Sequence, residues 1–102
     1  MILAEFSISP MDKGASLSDD VAHAIDLIDK SGLPYRLGPM GTCVEGEWDE
    51  VMALIKKCYL RMKKDCARIN CSIKIDAREG GGGRLTQKID TIETKVGRKL
   101  QR

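Results

Sequence analysis

Residues 32–48, GLPYRLGPMGTCVEGEW, decide the fold of this 102-residue chain. The stretch reads as two short strands, over roughly 33–46, joined by a tight Pro39-Met40-Gly41 connection. A plain hairpin needs one turn signal, and this one carries Gly38, Pro39, Gly41 and Gly46 around Thr42 and Glu45. Such a backbone is shaped to place Thr42 and Glu45, and to receive something.

A helix flanks the hairpin on either side. Upstream, Leu17, Val21, Ala24, Ile25 and Ile28 recur at helical spacing, with Ser16 and Asp19 as a capping-box-like start and Gly32 as the stop. Downstream, a helix starts near Trp48 or Asp49. Val51, Leu54, Ile55, Cys58 and Met62 form its buried face, and Lys56, Lys57, Arg61, Lys63 and Lys64 its solvated outside.

Strands lie beyond both helices. In residues 2–9, Ile2, Ala4, Phe6 and Ile8 point one way and Leu3, Glu5, Ser7 and Ser9 the other. Pro10 is the expected end of that strand, followed by a loop over 11–15 containing Gly14. Residues 68–78 alternate as cleanly. Ile69, Cys71, Ile73, Ile75 and Ala77 face one side, and Asn70, Ser72, Lys74, Asp76 and Arg78 the other. The order β-α-β-β-α-β is the ferredoxin-like plan of the α+β class, an antiparallel sheet with both helices on one face. First and last strands are expected to be neighbours at its centre.

Residues 79–84 carry four consecutive glycines, Gly80–Gly83, and read as a flexible loop. A further helix is expected over 85–100, because Leu85, Ile89, Ile92, Val96 and Leu100 form an apolar stripe. Gly97 is an interior cost of about 1 kcal/mol to that helix. The basic fold does not require the element, so its stripe must be buried either at home or against another subunit. Residues 1–102 thus form one domain.

Composition narrows the function. Seventeen basic against fifteen acidic residues give a net charge of +2, too balanced to imply a nucleic-acid or membrane partner. The four aromatics, Phe6, Tyr35, Trp48 and Tyr59, do not make a base-stacking sheet, which argues against RNA. No apolar run approaches the ~20 residues of a membrane span. Met1–Pro10 lacks the basic start of a signal peptide, so the chain reads as cytoplasmic. Cys43, Cys58, Cys66 and Cys71 form no CxxC pair, so they read as reduced packing thiols with no metal site. The glycine run is no P-loop, since GGGGRLTQK lacks the GxxxxGK[ST] pattern.

The face without helices should display Glu5, Ser7, Ser9, Cys43, Glu45, Ser72, Lys74, Asp76 and Arg78. Such a face is either simply solvated or suited to a small polar heterocycle, since carboxylates accept from ring amines and hydroxyls both donate and accept. No catalytic set emerges: His23 lies mid-helix, with nothing to bring it to Ser7.

The SISP strand end, SGLPYRLGPMGTCVEGEWDEVM, IKIDAR and TQKIDTIETKV together resemble the small thiamine-binding, YkoF-like protein family over essentially the whole chain. The PMGT-x-x-EG-x-W run carries most of the specificity. The resemblance implies a ferredoxin-like subunit with an added C-terminal helix, forming homodimers or homotetramers through its sheet and last helix. It implies binding of thiamine or its hydroxymethylpyrimidine part near a sheet-sheet subunit interface, without catalysis and with no cofactor or metal. The matching positions are Ser7, Ser9, Tyr35, Gly38 to Thr42, Glu45, Asp76 and Arg78. On this reading Glu45 or Asp76 accepts from the ligand's amino group, Ser7, Ser9 and Thr42 bond ring nitrogens or a hydroxyl, and Tyr35 stacks. Two other functions fit the residues: a regulatory or scaffold homo-oligomer with no small-molecule ligand, and an enzyme using Glu45 and Asp76 as acid and base.

Overall fold

The computed structural model describes residues 1–11 and 18–102. The expected Gly14 loop, the Ser16 cap and the Leu17 position lie outside the described residues. The elements run β1 (Ile2–Pro10), α1 (Ser18–Lys30), β2 (Tyr35–Leu37), β3 (Thr42–Gly46), α2 (Trp48–Lys63), β4 (Ile69–Ala77) and α3 (Arg84–Val96). The sheet is antiparallel, in the order β2-β3-β1-β4. This is the α+β, ferredoxin-like arrangement with one appended helix.

Alternation becomes burial as expected at the centre of the sheet. Ile2, Ala4, Phe6 and Ile8 of β1 and Val44 of β3 are buried against α1 and α2. From α1 come Ala24 and Ile28, and from α2 Val51, Leu54, Ile55, Cys58 and Met62, the face anticipated from helical spacing. Glu50 reaches back to accept the Glu47 N–H at 3.0 Å, which satisfies a donor that the first turn of α2 leaves free.

Two features differ from expectation, the place of β4 and the end of α3. β4 pairs with β1 but is an edge strand, not a central one. Two helices cover the middle of the sheet and stop short of its rim, so Ile73 stays 46% exposed despite facing the helix side. β1 ends at Pro10, as expected, with Pro10 as its last paired residue opposite Ile69, because a strand tolerates proline where no ladder donor is needed. Gly97 does not sit inside α3 but ends it. At φ +84° it takes the left-handed conformation and donates its N–H to the Glu93 carbonyl at 2.9 Å. Leu100 therefore lies beyond the helix, its N–H donated to the Glu93 carboxylate at 2.7 Å.

Candidate functional site

The lengths of β1 and β3 differ, and that difference makes a cavity. β1 has nine residues and β3 five, so their pairing stops at Phe6 and Thr42. Beyond that point β1 continues with a partner on the β4 side alone. The gap is a cavity of about 490 Å³. Val21, Ala24, Ile25 and Ile28 of α1 form its floor, Phe6 to Ser9 one wall, and Leu37 to Thr42 of the hairpin the other.

The hairpin wall depends on glycine. Gly38 donates its N–H to the Gly41 carbonyl at 2.9 Å, and a Cβ on Gly38 would lie 2.6 Å from that oxygen. The two-residue tip, Pro39-Met40, leaves Met40 89% exposed at the cavity edge. Apolar lining with a few convergent hydroxyls is the usual character of a small-molecule site. Ser7, Ser9 and Thr42 all line it, although parity puts Thr42 on the helix side and the serines on the open side. A notch at a strand edge is reached from both faces of the sheet, which is why residues of opposite parity meet there.

Glu45, Asp76 and Arg78 gather at the other end of β1; Glu45 and Asp76 lie opposite Leu3, roughly 10–20 Å along the strand from the Phe6–Ser9 wall at about 3.3 Å per residue. Glu45, expected to accept from a ligand's amino group, has backbone partners here. It is 3% exposed, and its two carboxylate oxygens accept the backbone N–H groups of Gly83 at 2.8 Å and Arg84 at 2.7 Å. A strand glutamate thus caps a helix 38 residues downstream, satisfying two of the donors at that helix's N-terminus and meeting its positive end. Gly83 makes this possible at φ +84°, a conformation costly for any residue with a Cβ. The glycine run gives that helix its start, a use that composition does not reveal.

Asp76 is likewise engaged. It pairs with Lys88 and, at 3.4 Å, with Arg84. The hydrogen bond from Lys88 comes first among the effects that hold its carboxyl below the ordinary value, reinforced by Lys88, Arg84 and Arg78 charges against some desolvation. Arg78, Arg84 and Lys88 line a groove of about 540 Å³ with Gln87, Thr91 and Ile92. Tyr35 joins neither cluster. Its hydroxyl donates to Asp29 at 2.7 Å, and it packs against the core opposite Val44.

Other groups have local roles. The His23 Nδ1 accepts from the Arg61 guanidinium at 3.1 Å between α1 and α2. On the open face the Cys43 thiol points to Glu5 at 3.8 Å, and burial, then the Glu5 charge, pushes its pKa up. Burial pushes the Cys58 thiol up to about 11. None of the four cysteines is in a disulfide, and among the described residues no cluster of three metal-ligating side chains occurs. No helix among the described residues is long and apolar enough to cross a membrane.

Residues 4–93 match the family model described as thiamine-binding protein. The chain is 35% identical over 91 residues to UPF0045 protein MJ1052 of Methanocaldococcus jannaschii, covering 89% of this chain and 91% of that one. It is 34% identical over 93 residues to UPF0045 protein Mb1933 of Mycobacterium bovis, covering 90% and 91%. The crystal structure of the Methanocaldococcus protein superposes with a TM-score of 0.81, covering 89% of this chain and 94% of that one. A Thermotoga maritima structure, described as a candidate thiamine biosynthesis/salvage protein, superposes with a TM-score of 0.79 at 25% identity, covering 89% and 97%.

Proposed function

The chain belongs to the thiamine-binding protein family, and on that premise we propose that it binds thiamine or its hydroxymethylpyrimidine part without chemical turnover. The observation that carries this reading is the cavity beside β1, with its apolar floor and Ser7, Ser9 and Thr42 at its walls. Its volume is in the range of small-molecule sites, roughly 300–1,000 Å³. Among the described lining residues none carries a titratable side chain, which favours holding a ligand over moving protons. A neutral pyrimidine suits such walls, whereas a cationic thiazolium would lose its hydration with no carboxylate in return from the described lining residues. The pyrimidine therefore goes in, and the thiazolium stays toward solvent.

The same reading makes the protein a cytosolic homo-oligomer, dimer or tetramer, joined through its sheet and α3. Ser7 and Ser9 belong to the open face, so a second sheet laid on that face would border the cavity. Of the other expected ligand residues, Glu45 and Asp76 act in this scheme by docking α3, and Arg78 by adding charge beside it.

Calorimetric titration with thiamine and with hydroxymethylpyrimidine tests the proposal. Both are expected to bind, and Ser9→Ala and Thr42→Ala to weaken both. Absence of heat and of any thermal shift at millimolar ligand would refute it.

A further inference from the structure

The two β1 ladders fix where each backbone group of that strand points. In an antiparallel pair, alternate residues exchange both N–H···O=C bonds with one neighbour. Arg78 donates to Met1 at 3.4 Å and Met11 to Arg68 at 2.8 Å, at the two ends of the β1–β4 register. Odd-numbered residues of β1 therefore bond to β4, and even-numbered ones face β3. The β3 side agrees: Glu45 donates outward to Pro34 at 3.0 Å, which leaves the even residues Thr42, Val44 and Gly46 for β1.

Phe6 is the last even residue with a β3 partner. Ile8 comes next, and the register would place it opposite Met40, which instead forms the exposed hairpin tip. No β3 residue pairs with Ile8, and among the described residues no bond joins its N–H or C=O to the backbone of a turn or loop. Ile8 is nevertheless buried and lines the cavity. A donor and an acceptor held side by side at a cavity wall form a ready-made pair for a ligand edge that presents their complement.

We propose that the Ile8 peptide edge is the specificity determinant of the cavity, reading an adjacent donor–acceptor pair on a heteroaromatic ring. The 4-aminopyrimidine edge is such a pair. Its amino group donates to the Ile8 carbonyl, and the neighbouring ring nitrogen N3 accepts the Ile8 N–H. The ligand thus takes the place of the absent β3 residue and continues the ladder by one rung, as an added strand does at a sheet edge. The backbone reads the ring edge, and the hydroxyls of Ser7, Ser9 and Thr42 are left for the substituents.

This inference rests on the reading that the cavity holds the pyrimidine, and the test separates the two. The probes are hydroxymethylpyrimidine, its analogue lacking the 4-amino group, and its pyridine analogue with C–H in place of N3. Each deletion strands one buried backbone group, so each analogue is expected to bind roughly 10- to 100-fold more weakly. Changing the Ser7–Ile8 amide to an ester removes the N–H alone and is expected to erase the preference for N3 over C–H. In ¹⁵N–¹H spectra of the unaltered protein, hydroxymethylpyrimidine should shift the Ile8 amide resonance and slow its exchange. If hydroxymethylpyrimidine binds but both analogues match it, or the Ile8 amide neither shifts nor gains protection, the inference is overturned while the binding function stands. If none of the three probes binds, both fall.

Discussion

Glu45 shows how one side chain can join two distant parts of the chain. Its carboxylate holds the first two N–H groups of α3 from a strand at the centre of the sheet. Glu45→Ala would strand both in a buried place and is expected to lower stability by roughly 2 kcal/mol in urea unfolding. Thiamine affinity should stay within twofold, because Glu45 does not line the β1 cavity. A large affinity loss with stability intact would return Glu45 to the binding site. Asp76 adds a pH dependence at the same junction. Its folded pKa lies below the ordinary 3.8, chiefly through the Lys88 hydrogen bond. A depressed carboxyl contributes stability that is present above its unfolded pKa and lost as pH falls through the folded one. Acidification below about pH 4 should therefore destabilise the wild type more than Asp76→Asn, as read from unfolding midpoints across pH 2–6.

At the scale of elements, the β2–β3 hairpin bounds the cavity, and its tightness is testable. Gly38→Ala puts a Cβ 2.6 Å from the Gly41 oxygen, so the strands must part. A cost of about 1–3 kcal/mol is expected, with several-fold weaker thiamine binding by calorimetry, because Leu37 to Thr42 form one wall. Alternation and helical spacing made most of these elements legible in the sequence. The β1 and β4 faces and the α2 core residues follow from side-chain period alone, and the hairpin from its glycine and proline turn signals. Period does not tell an edge strand from a central one, so β4 reads as apolar yet leaves Ile73 in solvent. Gly97 was legible in principle: a glycine two residues after Lys95 is a helix stop, but the stripe continuing to Leu100 masked it. The notch beside Ile8 follows from unequal strand lengths; Pro39-Met40-Gly41 marks where β3 begins, but the β1–β3 register that leaves Ile8 without a β3 partner comes only from long-range pairing. The Glu45 cap needed the position of α3, which only long-range packing supplies.

The whole molecule is longer than a domain of its size should be. Its radius of gyration is 15.1 Å, against about 13 Å for a compact chain of 100 residues, and its longest extent is 46 Å. α3 is the element appended to the four-stranded sheet and its two covering helices. Its first turn is pinned to the open face by Glu45 and Asp76, while the apolar stripe runs outward with Ile92 51% exposed and Val96 also in solvent. The C-terminal segment folds back on the helix, with Arg102 bonding Asp90 at 2.8 Å and Glu93 at 2.6 Å, and leaves Ile92 and Val96 exposed. An amphipathic helix held rigidly with its apolar side in water calls for a partner of the same kind, and a second copy offers a matching stripe. Native mass spectrometry should show a dimer or tetramer. Ile92→Lys together with Val96→Lys puts two charges into the proposed contact and should lower the assembly state while each subunit keeps its fold by circular dichroism. Both residues lie outside the β1 cavity, so hydroxymethylpyrimidine binding tells whether the site is complete within one subunit. Affinity retained in the dissociated variant places every essential wall on one chain, whereas affinity lost with the fold intact means that the neighbour supplies one.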